Sequence, residues 1–265
     1  MHQYDEEELL DIPESFDARK QWPECPTIGE IRDQGSLGAC WAFGPVEAIS
    51  DRICIKSKGQ KVVRLSVQDL ITCCRTHKKH NYCGQMSRAW NYWKDVGIVT
   101  GGGYHSKEGC RPYMTKPNGY KTRTERSAKD RCQKKCQKNY PIPYEEDLYK
   151  GKRVYDLNRN VTHMQKDIMK NGPVSVMFKE YADFGRNTHK VYIHKYGKFL
   201  GVHSVKLIGW GVQHGIPYWL AANSGNYNWG LKGFFKIRRG HNECLIEQFV
   251  VAGEPLDDAD RKSVV

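Results

Sequence analysis

The sequence predicts an α+β fold with a helical first half and an antiparallel β second half, which would leave a cleft between two lobes. The first half carries apolar residues at helical spacing after Cys40, a capped apolar run at 65–71 and an aromatic run at 87–96. A further helix is predicted at 162–170, ended by Asn-Gly-Pro. The second half has short runs rich in β-branched and aromatic residues between glycine turns, at 174–178, 204–210, 218–221 and 233–237.

Chain length and composition set the expected boundaries. The 265 residues suffice for two lobes with a sizeable core. We expect residues 1–11 to be an acidic leader remnant, 12–253 to form one domain and 254–265 to be a tail. Within the domain, the helical lobe covers about 25–140 and the β lobe about 150–253. No run of about 18 apolar residues occurs, so no membrane-spanning helix is predicted.

Cysteine content and a glycosylation motif indicate the compartment. Ten cysteines favour an oxidising environment, and Asn160-Val161-Thr162 is an N-glycosylation acceptor at Asn160. We therefore expect a secreted or lysosomal protein of the endomembrane lumen.

The net charge is +12, with basic residues concentrated at 116–138. This segment is either a polyanion-binding patch or, the interpretation we favour, a solvated loop.

One thiol stands at a predicted helix start. Cys40 follows the Gly-rich turn Gln34–Gly38 and precedes the apolar helical face. Unpaired N–H groups and the positive end of the helix dipole stabilise a thiolate, which is the nucleophilic form. Pro45 predicts either a helix that starts close to Trp41 or a distortion just after the thiol.

A cysteine nucleophile needs a base and a group that orients the base. His203 enters one predicted strand, and Asn223 ends the next, so the two side chains can lie side by side. Gln34, six residues before Cys40, can donate its side-chain amide to an oxyanion, with the Cys40 backbone N–H as a second donor. The four residues predict a nucleophilic site.

These residues resemble those of the papain-like cysteine peptidases, and within them the cathepsin B-like group. The resemblance spans about 12–253 and is carried by the segments 12–19, 21–28, 31–36, 46–55, 109–113 and 217–220. It implies the two-lobed papain-like fold, with a helical N-terminal lobe, an antiparallel β-barrel-like C-terminal lobe and the active-site cleft between them. It further implies a monomeric peptidase without a cofactor that acts on peptides or proteins and is bound by cystatin-like inhibitors.

The resemblance also implies roles for individual residues. Cys40 and His203 would form a thiolate–imidazolium pair, with Asn223 orienting the imidazole and Gln34 in the oxyanion hole. The implied substrate-binding residues are Gly38, Trp41, Gly84, Val202, Trp229 and Phe249. The implied disulfides are Cys25–Cys54, Cys73–Cys132 and Cys110–Cys136, whereas Cys74–Cys83 follows by elimination and leaves Cys40 reactive and Cys244 buried.

The sequence departs from the family pattern around this site. Leu37 replaces a cysteine, and Gly225 replaces an aromatic residue that normally shields the His–Asn hydrogen bond. Val202 replaces a glycine of the specificity pocket, and Phe249 replaces an acidic residue that accepts arginine. The segment 114–131, at the place of the family's occluding loop, contains no Cys or His, so we expect carboxydipeptidase activity to be absent.

Two function hypotheses follow, with a weaker third. The retained Cys, His, Asn and Gln favour a cysteine endopeptidase. Gly225, Pro45 and Val202, together with the lost glycines at 81–86, favour a weak or inactive relative that binds peptides, inhibitors or polyanions. The spacing Cys74-x2-His77-x2-His80-x2-Cys83 has ligand types suited to zinc, but a disulfide explains both cysteines, so no metal site is predicted.

Overall fold

The structure is a computed structural model that describes residues 12–74, 84–117, 131–157, 159–186 and 189–257. It has a helical lobe, a β lobe and one helix, α2, between them. In this described part of the chain, no helix has the length and apolar character needed to cross a membrane.

Two of the predicted helices begin at residues that cap them. Ser66 Oγ accepts a hydrogen bond from the Asp69 N–H at 2.9 Å, and Asn160 Oδ1 accepts one from the His163 N–H at 2.9 Å. The last predicted helix ends at Gly172, whose φ of +99° favours glycine. The helices of the described residues are α1 Ala18–Gln21, α2 Cys40–Lys56, α3 Val67–Cys73, α4 Met86–Asp95 and α5 Val161–Asn171.

The strands form one sheet within the described residues. They are β1 Phe16–Asp17, β2 Gly151–Asp156, β3 Val174–Tyr181, β4 Val191–Tyr192, β5 Phe199–Gln213, β6 Ile216–Ala222, β7 Phe234–Arg238 and β8 Phe249–Pro255. The order is β2-β8-β3-β5-β6-β7-β4, with β1 beside β5. All pairings are antiparallel except that of β4 with β7.

The predicted α+β class is confirmed, but the sheet is open rather than barrel-like. Its free ends are β2 and β4, and the helical lobe covers the β2 end. A Cβ built on Gly151 would lie 2.4 Å from the Trp93 ring, and one on Gly253 would lie 3.0 Å from it. These two glycines therefore let α4 pack closely against β2 and β8. Neither strand was predicted from the sequence.

Helix α2 is buried on every side between the lobes. Every residue from Trp41 to Cys54 is buried, although the sequence reads as an amphipathic helix. Gly44 lets α2 approach β5, because a Cβ there would lie 2.8 Å from Ser204 Oγ. The helix starts at Cys40 and continues through Pro45, which agrees with the expected start close to Trp41.

A buried charge cluster joins α2 to β5. Lys206 Nζ donates to Asp51 Oδ2 at 2.7 Å and to the Thr27 carbonyl at 3.2 Å, and Lys206 and Asp51 are fully buried. Glu47 lies one turn before Asp51 and is 5% exposed. Its Oε1 has no hydrogen-bond partner among the described residues. Burial raises the pKa of Glu47 to about 8, although Lys206 and Arg32 act in the opposite direction.

This cluster predicts a pH-dependent stability. Between the ordinary glutamate pKa and about 8, folded Glu47 holds a proton that the unfolded chain has released. Stability should therefore fall as the pH rises through this window, by up to about 1.4 kcal/mol per pH unit. Glu47→Gln should flatten the dependence of the thermal midpoint between pH 5 and 8. Glu145→Gln, at an exposed carboxylate, should leave the slope unchanged; an unaltered slope in Glu47→Gln would refute the assignment.

Candidate active site

The thiol of Cys40 lies at the N-terminus of α2, as the sequence predicts. Cys40 is the first helical residue, and Ala39 at the N-cap supplies no side-chain hydrogen bond. The first turn therefore offers unpaired N–H groups to an anion at this point. Cys40 is half-buried, and its Sγ lies 4.0 Å from the carbonyl oxygen of Val202 on β5. The helical lobe thus presents the thiol directly to the β lobe.

Strand pairing brings His203 and Asn223 together. His203 lies on β5, and Asn223 follows the last residue of β6, which pairs with β5. His203 Nε2 lies 2.8 Å from Asn223 Oδ1, so the amide oxygen accepts from that ring nitrogen in the matching tautomer. The edge of the Phe178 ring packs on the imidazole at a centroid distance of 5.8 Å. One ring nitrogen is thereby held by the amide.

The electrostatics of the pair favour charge separation. Burial alone would raise the pKa of the Cys40 thiol, but the hydrogen bond and positive charge of His203 outweigh burial and lower it. Burial alone would lower the pKa of His203, but its interactions with Cys40 and the Asn223 hydrogen bond raise it. Both shifts favour a thiolate beside an imidazolium, which is the nucleophilic form of such a pair.

Gln34 is fixed beside the same two elements. Its Oε1 accepts from Ser224 Oγ at 2.7 Å, and its backbone N–H donates to the Ser224 carbonyl at 3.0 Å. Its Nε2 donates to the Leu37 carbonyl at 3.1 Å, in the turn just before the thiol. An amide nitrogen carries two N–H donors, so a second remains for an oxyanion. Ser224, which the sequence analysis did not single out, is signalled only by its position next to Asn223.

Gly225 lies beside the orienting amide and has no side chain to place over it. A Cβ built at this position would lie 3.6 Å from Asn223 Nδ2. The Cβ of a larger side chain here would therefore be in van der Waals contact with the amide that holds His203. Trp229 follows four residues later in the chain. It donates its indole N–H to the Gly185 carbonyl at 3.1 Å and packs on Phe184.

An apolar cavity of about 80 Å³ lies beside Val202, the residue before His203. In the sheet register, Val202 pairs with Lys179, and Phe249 pairs with Met177. Met177 and Lys179 lie two residues apart on β3, so the side chains of Val202 and Phe249 lie on the same face of the sheet. Val202 is 53% exposed and Phe249 is 45% exposed at its rim. Leu245 completes the wall of the cavity. Its φ is +68°, which the residue type does not predict. Two residues expected in a specificity pocket are thus brought together.

The other expected substrate-binding residues are more scattered. Gly38 is exposed two residues before the thiol, whereas Trp41 is 8% exposed and packs in the core of the helical lobe. Gly84 precedes α4 with a φ of +121°. Asn160 is exposed and caps α5, and its glycosylation stays a prediction.

Within the described residues, three of the implied disulfides are present: Cys25–Cys54, Cys73–Cys132 and Cys110–Cys136. Cys40 and Cys244 are free. Both are half-buried, so the expectation that Cys244 is fully buried was wrong, although burial still raises its pKa to about 12. Cys83, the expected partner of Cys74, lies outside the described residues, as do His77 and His80 of the zinc alternative and residues 118–130 of the basic loop.

Comparison with known proteins finds relatives over nearly the whole chain. Residues 12–254 match the papain family cysteine protease domain. The chain is 47% identical over 255 residues to cathepsin B-like cysteine proteinase 6 of Caenorhabditis elegans, covering 93% of this chain and 67% of that protein. It is 44% identical to a cathepsin B-like cysteine proteinase of Schistosoma japonicum, covering 92% and 73%. The structure of proCathepsin B S9 from Trypanosoma congolense superposes with a TM-score of 0.82 at 35% identity, covering 96% of this chain and 82% of that one.

Proposed function

Because this chain belongs to the papain family of cysteine proteases, and is a cysteine peptidase of the cathepsin B-like kind, we propose that it is an endopeptidase using Cys40 and His203. The observation that carries the proposal is the position of the Cys40 thiol at the start of α2 against β5, with His203 of β5 held by Asn223 at 2.8 Å. Its substrates are peptides or proteins, and cystatin-like inhibitors would compete for the same cleft.

The reaction follows from the positions of these groups. The Cys40 thiolate attacks the scissile carbonyl carbon, and the carbonyl oxygen becomes an oxyanion that accepts from the Gln34 amide and the Cys40 N–H. The imidazolium of His203 then gives its proton to the leaving amine as the C–N bond breaks, which leaves a thioester. His203 next takes a proton from water, the hydroxide attacks the thioester, and the acid product leaves with the thiolate regenerated.

The compartment is part of the proposal. The three disulfides and the exposed acceptor Asn160 support an oxidising location, outside the cell or in the endomembrane lumen. An acidic lumen would also suit Glu47, whose folded form favours the protonated state.

Peptide hydrolysis by matched variants tests the proposal. Cys40→Ala should abolish cleavage of a peptide library at pH 5–6, since it removes the nucleophile. Cys244→Ala removes the second free thiol of the described residues and should leave cleavage unchanged. A library left uncut by the parent protein, or cut equally by Cys40→Ala, would overturn the endopeptidase assignment.

A second candidate function is peptide or inhibitor binding without turnover. Gly225 supports it, because it has no side chain with which to cover the amide of Asn223. Retained affinity for a cystatin-like inhibitor together with absent hydrolysis would favour this alternative.

The apolar cavity predicts the preferred substrate side chain. Its apolar rim and Lys179 should favour a small apolar group and disfavour a basic one. Phe249→Glu should raise kcat/KM for an arginine-containing peptide by about tenfold or more, because a carboxylate would then face the guanidinium. Phe249→Leu, the apolar control, should leave the preference unchanged. A parent protein that already prefers arginine would contradict the prediction.

Carboxydipeptidase activity should be undetectable. The segment 114–131 carries no His or Cys with which to fix a C-terminal carboxylate. Release of dipeptides from a peptide with a free C-terminus should match that from its C-terminal amide, and a clear excess for the free acid would refute the prediction.

A further inference from the structure

The main chain of Gln34 is held from both lobes. On the β lobe, its N–H donates to the Ser224 carbonyl at 3.0 Å. On the helical lobe, its carbonyl oxygen accepts from the hydroxyl of Tyr113 at 2.8 Å. Each of the two peptide units that flank the Gln34 Cα is therefore fixed by a different lobe. The side-chain amide extends from a Cα whose position depends on both contacts.

Tyr113 is itself firmly held. It is 2% exposed, and the edge of its ring packs against Phe43 at a centroid distance of 5.1 Å. Phe43 lies on α2 three residues after Cys40. The backbone N–H of Tyr113 donates to the Gly102 carbonyl at 3.1 Å. Tyr113 therefore contacts both the helix that begins at the thiol and the residue that carries the amide of the proposed oxyanion hole.

The turn that follows Gln34 packs against the segment that follows Tyr113. A Cβ built on Gly35 would lie 2.3 Å from the Lys116 carbonyl oxygen and 3.2 Å from the Thr115 side chain. The φ of Gly35 is +62°, a conformation that favours glycine. The segment 113–116 therefore lies directly against the turn that leads from Gln34 to the thiol.

We propose that Tyr113 is a positioning residue that holds Gln34 where its amide can donate to the oxyanion. This inference rests on the proposed endopeptidase mechanism, in which the oxyanion accepts from Gln34 and from the Cys40 N–H. A donor stabilises the transition state fully only at hydrogen-bond distance from the position that the oxyanion takes, so a small displacement of Gln34 slows the reaction. The bound substrate carries no such charge, so the Tyr113 hydroxyl acts on turnover and not on substrate binding.

Tyr113→Phe removes the hydroxyl and keeps the ring that packs on Phe43. We expect kcat and kcat/KM for peptide hydrolysis at pH 5–6 to fall by the same factor, about tenfold or more, because the lost interaction acts only in the transition state. Alkylation of Cys40 by iodoacetamide needs the thiolate but forms no oxyanion. Its rate, measured in the Cys244→Ala background, should therefore stay within about twofold of the parent rate.

A second buried tyrosine provides the matched control. Tyr144 is 5% exposed, and its hydroxyl donates to Asp69 of α3 at 2.9 Å. Tyr144→Phe removes a buried hydroxyl that does not contact Gln34, so hydrolysis and alkylation should both match those of the parent protein.

A double-mutant cycle tests whether Tyr113 acts through Gln34. In the Gln34→Ala background the hydroxyl has no amide to position, so Tyr113→Phe should change kcat by less than about twofold there. Parent-like kcat in Tyr113→Phe, an equal loss of hydrolysis and alkylation, or an undiminished effect in Gln34→Ala would overturn the inference. A parent protein without Cys40-dependent hydrolysis would instead overturn the endopeptidase assignment, and this inference with it.

Discussion

His203→Ala is expected to lower kcat/KM for peptide hydrolysis by about 10³-fold or more, because it removes the acid–base group and the charge that ionises the thiol. Removing the imidazole leaves burial as the main influence on Cys40, which raises the pKa of the thiol. The effect should therefore appear both as lost turnover and as slower reaction of Cys40 with alkylating reagents at acidic pH.

The control for this variant is another histidine. His241→Ala changes an exposed side chain after β7 and should keep the activity of the parent protein. If His203→Ala retained more than about a tenth of the parent activity, His203 would not be the base, since general acid–base groups contribute at least about 10²-fold.

Asp167→Ala is expected to have the largest effect on stability. Asp167 is fully buried and pairs with Arg52, which is 1% exposed. Arg52 also donates to the Pro173 carbonyl at 2.7 Å and to the Gly253 carbonyl at 3.1 Å, so it ties α2 to the β lobe. Removing the carboxylate leaves the buried guanidinium without its charged partner, which lowers the free energy of unfolding by about 3–5 kcal/mol. Denaturant unfolding followed by fluorescence measures this loss.

An exposed pair serves as the comparison. In the pair Arg153–Glu254, the side chains are 47% and 27% exposed. Glu254→Ala should lower the free energy of unfolding by less than about 1 kcal/mol, because water screens the pair. Equal losses in Glu254→Ala and Asp167→Ala would show that Arg52 finds another partner when Asp167 is absent.

The sequence predicts the local parts of the site well. The glycine turn before Cys40, the helical spacing after it and the short strand run that contains His203 are patterns within a few residues. Asn223 could be placed beside His203 because the strands that carry them are consecutive and pair. The open sheet was not predictable in this way. Strand β8 lies between β2 and β3, and such long-range pairing leaves no local signal.

Buried charge was the second feature that escaped sequence reasoning. Glu47, Asp51 and Arg52 on α2 look like the solvated face of an amphipathic helix, yet all three are buried. Their partners Lys206 and Asp167 lie more than 100 residues away along the chain. The cavity beside Val202 was also not predictable. Leu245 reaches it in a turn where its φ is +68°, and a leucine does not predict such a conformation.

In the proposed mechanism Cys40 is an activated thiolate paired with His203, and the alkylation rate of Cys40 as a function of pH tests this pairing most directly. Cys244→Ala provides a background in which Cys40 is the remaining free thiol of the described residues. An epoxide or vinyl sulfone reagent should label Cys40 rapidly at pH 5–6, where an ordinary thiol with a pKa of about 8.5 is almost wholly protonated. His203→Ala in the same background should lose this labelling at acidic pH. No labelling at pH 5–6, or a rate that rises only above pH 8, would show that Cys40 is an ordinary thiol and not an activated thiolate.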